Sequence, residues 1–523
     1  MEHGGLPYCQ LRYRIKSLHG LVIVVSSAFM TIIFSALIGL GLSMLIEQFM
    51  TPKPLFFRSK QTWFLHTGLW FITFSLFLLI LARPWFAMAS TLAIFLTLVL
   101  VNNAKYHSLQ EPFVWHDFEY FTDAIRYPRL YIPFLGWRNF FFAALGFIIA
   151  VLFGLLAETV PEKHLTFDGQ LGGMSILILC SVTCIFLGHS SKPNVTFDAK
   201  EDVISMGLLA SLWHYALACR FFPSVDSSFN DIDHTNTNPL PHIITVQSES
   251  FFDARALYGG IKKDILAEFD KLKADAIMHG KLKVPAWGAN TVRSEFAFLT
   301  GIEEYTLGVH RFNPYRAIAK GWRVANIASY LKSIGYKTIA IHPYPITFYQ
   351  RNHVYPKLGF DEFLDIRSFK DADRFGPYIS DLEVSNKIKE ILEKSEQPLF
   401  IFVITMENHG PLHLEKVQEK DIKNLYTTPP PQGCDDLTIY LRHLRNADRM
   451  IASLRKTLEE HNYPSKLCWY GDHVPIMPSV YTRFGTPDGE VDYILWSNEK
   501  NPEPKIQNMS ITDLTRAILS NAL

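Results

Sequence analysis

The 523-residue chain is too long for one ordinary hydrophobic core, so two or more domains are expected. Fifty Lys and Arg balance fifty Asp and Glu, which gives no global charge of the kind that draws a protein to nucleic acid. Six cysteines form no metal-binding spacing; Cys434 and Cys468 lie in the half that reads as globular, where a single disulfide between them is compatible with the sequence.

Hydrophobicity is concentrated in the first 190 residues. Leu21–Ile46 is an uncharged run preceded by Arg12, Arg14 and Lys16. It is too long for the apolar core of a signal peptide and reads as a retained anchor. Trp63–Ala82, Pro84–Val101, Phe140–Ala157 and Leu171–Leu187 bring the expected count to five spans, with Arg83-Pro84 as a tight hairpin between the second and third. Five spans and an inside N-terminus place the remainder outside, whereas the loop lysines and arginines favour neither side. Lys105–Phe118 (KYHSLQEPFVWHDF) suits a connecting helix at headgroup level, with Tyr106, Phe113 and Trp115 as its aromatic anchors. Ile204–Phe222, interrupted by Ser205, Ser211, His214 and Arg220, reads as an interfacial amphipathic helix, and Pro223–Pro241 as a linker. The expected division is a transmembrane domain over 1–200, an interfacial helix and linker over 201–241, and a soluble domain over 242–523.

In the soluble half, Ile243–Val246, Thr338–Ile341, Leu399–Thr405 and Leu467–Tyr470 are short apolar runs suited to buried parallel strands. Helical patterns lie between them, clearest in Leu437–Leu458, where Leu437, Leu441, Leu444, Ile451, Leu454 and Leu458 share a face. Strand alternating with helix predicts an α/β fold. Such sheets bind ligands beyond the carboxyl ends of their strands. Here those ends read Gln247-Ser248-Glu249-Ser250, His342-Pro343, Glu407-Asn408-His409-Gly410 and Gly471-Asp472-His473. A further stretch, Ala286–Gly301 (AWGANTVRSEFAFLTG), delivers Thr291 from a Gly-containing turn to the start of a helix over Val292–Leu299, where free N–H groups favour a phosphate.

The residue types sort by chemistry. Glu249, Asp472 and His473 are donors for Mn²⁺, Zn²⁺ or Mg²⁺. A threonine oxygen completing that coordination would lose its proton readily and become a nucleophile. His342 and His409 would serve as phosphate donors or proton carriers, and Arg351 as a phosphate clamp. Asp448 and Arg449 are expected in salt bridges or packing, while Arg293 and Glu295 flank Thr291 with a structural or a catalytic role.

QSESF around Glu249, GANTVRSEFAFLTG around Thr291, ENHGP around His409 and YGDH around Asp472-His473 together resemble the lipoteichoic acid synthase family. That family includes the phosphoglycerol transferases and belongs to the alkaline phosphatase/sulfatase-like superfamily. The resemblance covers the whole chain and includes Glu111-Pro112 between the membrane segments. It implies an N-terminal α-helical transmembrane domain followed by an alkaline phosphatase-like α/β domain outside the cytoplasmic (inner) membrane. Glu249, Thr291, Asp472 and His473 would bind the metal, Mn²⁺ first among the candidates. Thr291 would be the nucleophile, and His342, Arg351 and His409 would line the phosphate pocket. The implied activity is transfer of phosphoglycerol from phosphatidylglycerol to a glycan or polymer acceptor through a phospho-threonine. A phosphoethanolamine transferase and a non-catalytic envelope glycan-assembly component are the alternatives. A sulfatase proper requires Cys or Ser in a C/S-x-P-x-R context, which Thr291-Val292-Arg293-Ser294-Glu295 does not offer. Between His342 and Arg351 the chain departs from the synthases: Tyr344 and Tyr349 stand where an acidic residue and a Trp are usual.

Overall fold

The computed structural model describes residues 29–126, 136–156, 158, 167–190, 195–227, 229, 240–499 and 501–522. The chain forms two compact units, Met1–Phe118 with Tyr131–Ala218, and Glu119–Leu130 with Cys219–Leu523.

The first unit is helical: α1 (Phe29–Glu47), α2 (Lys60–Leu81), α3 (Pro84–Leu109), α4 (Trp137–Leu156) and α5 (Phe167–Ser190). Among the described residues four helices are long and apolar enough to cross a membrane: α1, α2, α3 and the Leu171–Ser190 part of α5. The expected fifth span at Phe140–Ala157 is helical in α4 (Trp137–Leu156), and among the described residues its recorded apolar stretch is Ala144–Leu156. Residues 21–28 of the first expected span lie outside the described residues, as does most of the Pro223–Pro241 linker. The α2–α3 hairpin turns at Ala82, in the left-handed region, and Arg83, with Pro84 opening α3. Gly68 lets α2 meet α5 closely: a Cβ there would stand 2.9 Å from the Ser181 carbonyl oxygen, and the Ser181 hydroxyl donates to the Gly68 carbonyl at 2.7 Å.

Two expectations for the connecting segments change. Lys105–Phe118 is not one helix. Residue Gln110 ends α3 in the left-handed region, and Lys105 then pairs with both Glu111 and Asp117 at 2.7 Å, closing the intervening turn. Ile204–Phe222 is broken at Gly207 into Ala199–Met206 and Leu208–Ala218, too short to span and with Leu208, Leu212 and Tyr215 buried in the first unit.

The second unit is built on a nine-stranded sheet. Its strands are β1 (His242–Ser248), β2 (Met278–Lys283), β3 (Lys337–Ile341), β4 (Glu362–Leu364), β5 (Leu399–Ile404), β6 (Ser465–Gly471), β7 (Val491–Ser497), β8 (Lys505–Ile506) and β9 (Met509–Ser510). They run in the order β8-β2-β7-β6-β1-β5-β3-β4, with β9 also on β2. The four expected strands are the central parallel ones, β6-β1-β5-β3. Each is an apolar run buried along nearly its whole length, as strands covered on both faces must be. β7 joins β6 antiparallel and leads out to β2.

Two helices place the site. α7 (Asp435–Glu460) buries the expected leucine face, and its Asp448 accepts the N–H groups of Glu268 and Phe269 at 3.1 and 2.7 Å. α6 (Thr291–Thr300) is buried at all ten positions. It lies on the sheet through Phe298, which stacks on Phe402 of β5 (ring centroids 5.6 Å apart, planes 10°) and on Tyr470 of β6 (5.1 Å, 27°). Thr515 adds a hydrogen bond to the Phe298 carbonyl at 2.6 Å.

Phe298 is therefore the anchor that fixes α6 on the strands. Phe298→Ala is expected to destabilise the second unit by about 3–5 kcal/mol and Phe298→Leu by clearly less. Tryptophan fluorescence during urea unfolding of the detergent-solubilised protein measures both; a loss under about 1 kcal/mol for the alanine variant would place the anchor elsewhere.

Candidate active site

The carboxyl ends of the central strands converge as the residue pattern requires. Glu249 follows β1, and Asp472 and His473 follow β6, its direct neighbour in the sheet. One ligand atom from each of the three lies within 4.8 Å of the others, and all three side chains are buried. Gly471 makes this approach feasible, because a Cβ there would stand 2.0 Å from the Phe251 carbonyl oxygen.

Ser250 holds the two acidic groups in register. Its backbone lies in the left-handed region (φ 52°), unfavourable for a non-glycine residue. The Ser250 N–H donates to Asp472 Oδ1 at 2.8 Å and its hydroxyl to Glu249 Oε1 at 2.9 Å, while the Tyr440 hydroxyl donates to its carbonyl at 2.9 Å. His473 Nδ1 sits 3.1 Å from the Val474 carbonyl, which takes the proton on that nitrogen and leaves Nε2 as a lone pair 3.4 Å from Asp472 Oδ2 and 3.7 Å from Glu249 Oε1.

Asp472 Oδ2 is buried without a hydrogen-bond partner in the protein. An orphaned carboxylate oxygen beside a second carboxylate and an oriented imidazole is the donor set of a divalent cation. Burial, and then the neighbouring Asp472 charge, push Glu249 from its ordinary 4.5 up to about 8. A bound cation reverses both effects.

Thr291 is the first residue of α6 and is buried. The cap position belongs to Asn290, in the left-handed region (φ 66°) and without a side-chain capping bond, so Thr291 is not the cap that such a motif would ordinarily contain. One turn on, the Ser294 hydroxyl donates to the Asp472 carbonyl at 2.7 Å. This bond ties the first turn of α6 to the residue that supplies the cluster, on the face that i and i+3 share. The next position, Glu295, is buried and pairs with Arg351. It also accepts the hydroxyls of Tyr315 and Tyr355 at 2.9 and 2.8 Å. Arg351 is itself buried, with Nε and Nη2 directed at Glu295. The structure thus places the expected phosphate clamp inside an ion pair behind α6.

His342 follows β3 and His409 follows β5. The His342 Nδ1 proton goes to the Ile404 carbonyl at 3.1 Å, leaving Nε2 buried and without a partner. Burial, reinforced by the Arg351 charge, holds this imidazole well below its ordinary 6.5. His342 is neutral and presents an acceptor, which suits a ligand hydroxyl rather than a phosphate oxygen. His409 directs Nδ1 to the Gly410 carbonyl at 2.7 Å, and burial also lowers its titration.

Four side chains without an assigned role in the sequence reading, Asn408, Glu407, His443 and Asp381, belong to the same region. Asn408 is buried with both amide atoms unpartnered. Glu407 accepts the Asp381 N–H at 2.8 Å and Asn446 Nδ2 at 2.6 Å, and lies 3.3 Å from His443 Nδ1. Burial alone would lower His443, but the flanking Glu407 and Glu415 outweigh it and raise the imidazole to about 9. Asp381 is held well above the carboxylate range by burial and then by Glu407. The position of Glu407 two residues before His409 was the one available signal; Asp381 and His443 come from distant helices that carry none. Cys434 and Cys468 are both free and buried, not bridged.

Comparison with known proteins bears on the family and the fold. The sulfatase family model matches residues 241–522. The chain is 26% identical over 457 residues to the capsular polysaccharide biosynthesis protein RkpI of Rhizobium meliloti, covering 81% of this chain and 79% of that protein. It is 23% identical over 452 residues to the lipoteichoic acid synthase of Staphylococcus aureus, covering 81% and 65%. Among solved structures, the integral membrane lipooligosaccharide phosphoethanolamine transferase A of Neisseria meningitidis superposes with a TM-score of 0.53 over 87% of this chain and 88% of that one, at 13% identity, a likeness of fold.

Glu249 gives this site a pH signature. In the metal-free protein its raised titration means that the unfolded chain ionises first as pH rises, so stability is fully present below about 4.5 and is lost progressively up to about 8. Melting temperature is expected to fall across that window after chelation and to stay level when a divalent cation is present. Equal slopes with and without the cation would remove Glu249 from the ligand set.

Proposed function

The chain belongs to the sulfatase family, and from that premise we propose that it is a membrane-anchored, metal-dependent transferase that moves phosphoglycerol from phosphatidylglycerol to a glycan or polymer acceptor at the extracytoplasmic face of the inner membrane. The observation that carries the reading is the Glu249–Asp472–His473 cluster bonded through Ser294 to the first turn of the helix that begins at Thr291. A divalent cation there, Mn²⁺ in our reading, lowers the proton affinity of a threonine hydroxyl and neutralises phosphate charge.

The chain's own groups then have distinct tasks. Thr291 Oγ attacks phosphorus, the bond to the diacylglycerol oxygen breaks, and phosphoglycerol stays on Thr291. His409, neutral in the free protein, takes the threonine proton and returns it to the departing diacylglycerol oxygen. In the second step it takes the proton of the acceptor hydroxyl, which attacks phosphorus while the Thr291 oxygen leaves and is reprotonated. His342 Nε2, an unpartnered acceptor, takes a hydrogen bond from a glycerol hydroxyl. The free N–H groups of the first turn of α6 favour the phosphate. Arg351, largely occupied by Glu295, contributes mainly by fixing α6 and only secondarily by charge.

Thr291→Ala is expected to abolish release of diacylglycerol from phosphatidylglycerol in proteoliposomes, a fall of at least 10³-fold, with an unchanged melting temperature. Phosphatidylethanolamine supplied alone is expected to yield none. Full turnover by the variant would remove Thr291 from the chemistry, and turnover of phosphatidylethanolamine in preference would reassign the donor.

A further inference from the structure

A second recess lies in the same unit, away from the carboxylate cluster. It is a cavity of about 460 Å³, within the range of small-molecule sites. Its walls include Tyr120 and Arg126 of the helix Asp117–Arg126 and Asn313, Tyr349, Gln350 and Asn352 of the C-terminal region. Among the described residues the lining holds no aliphatic and no phenylalanine; two hydroxyl-bearing aromatic rings stand among amides, cations and the Glu119 carboxylate. Arg316 pairs with Glu119 at 2.6 Å on one wall, while Arg126 is exposed.

The wall nearest α6 is under conformational strain. Tyr349 and Gln350 are consecutive non-glycine residues in the left-handed region, with φ of 54° and 56°. Such a conformation is strained for a residue with a side chain and persists where its surroundings fix it. The Tyr349 ring is fixed by Phe348 (centroids 4.2 Å apart), by Tyr120 (5.9 Å, edge to face) and by the Arg351 guanidinium (5.2 Å). Through Arg351 the cavity wall is continuous with Glu295, one turn beyond Thr291.

We propose that this cavity binds the acceptor glycan, holding sugar units beside the position where phosphoglycerol is passed on. The inference rests on the transferase reading. Aromatic rings offer flat apolar faces to the C–H faces of sugars, and amides donate and accept at once, as sugar hydroxyls require. A phospholipid's acyl chains would need an aliphatic surface, and the described lining residues offer none.

Two measurements test the assignment. In steady-state transfer from phosphatidylglycerol to oligosaccharides released by partial acid hydrolysis of the cell's own surface polysaccharide, Asn352→Ala and Arg126→Ala are expected to raise the acceptor KM at least tenfold and the donor KM less than twofold. An acceptor KM within twofold of wild type, or a rise in the donor KM instead, would overturn the proposal. Independently of turnover, p-benzoylphenylalanine incorporated at position 350 of the full-length protein in cells is expected to cross-link carbohydrate on irradiation. Cross-linking to phospholipid, or no carbohydrate adduct, would sink it. Because this second experiment needs no chemistry at Thr291, a carbohydrate adduct on an inactive protein would retain the cavity and discard the transferase reading, whereas an active protein without the adduct would do the reverse.

Discussion

Two carboxylates and an imidazole buried within 4.8 Å of one another are the constraint around which the second unit is arranged. Ionised carboxylates out of water and side by side are unfavourable by several kcal/mol unless a proton or a cation intervenes. The neighbouring backbone is shaped to maintain the crowding rather than relieve it. Ser250 accepts a left-handed conformation to bridge Glu249 and Asp472, and Gly471 gives up its side chain so that β6 can end against Phe251. A sequence selected for stability alone would separate these charges; this one spends conformational strain on keeping them together.

The contrast with the surrounding charges sharpens the point. Behind α6, Glu295 is satisfied by Arg351, Tyr315 and Tyr355. Behind the His409 loop, Glu407 and Glu415 flank a protonated His443, and Arg442 pairs with Glu415 and Asp421 at 2.7 and 2.9 Å. The Glu295 network is buried and supplied with partners, whereas in the second one Asp381 Oδ1 and Oδ2 and Arg442 Nε have none. Asp472 Oδ2, His342 Nε2 and the Asn408 amide are equally buried but have no partner in the protein. All three follow central parallel strands, where an open α/β sheet presents its ligands.

The central strands and the residues at their ends were legible because burial on both faces forces continuous apolar runs, and because charged groups immediately after such runs stand out. β2 and β7 were not. Met278–Lys283 is a partly exposed segment carrying His279, Lys281 and Lys283, and Val491–Ser497 is interrupted by Asp492, whose carboxylate accepts the Asp253 N–H and pairs with Lys281. The helix at Thr291 was readable from its turn and apolar pattern, but the partnership of Glu295 with Arg351 was not, since 56 residues separate them and either alone reads as a surface charge. In the first unit, uncharged runs revealed the helices, α4 among them.

The departure from the lipoteichoic acid synthases between His342 and Arg351 can now be placed. Tyr344 packs on Phe348 (5.2 Å) and on Tyr378 (6.4 Å), whose ring in turn meets His409 at 5.8 Å and whose hydroxyl donates to the Gly410 carbonyl. It therefore stands beside the two histidines. Tyr349 faces the other way in effect, because its neighbours are Tyr120, Arg351 and the polar cavity. Neither tyrosine belongs to the carboxylate cluster, and neither bonds to the first turn of α6. A change confined to these two positions leaves Glu249, Asp472, His473 and Thr291 as they are. The two positions instead shape the surroundings of His409 and of the polar cavity, two places apart from the carboxylate cluster.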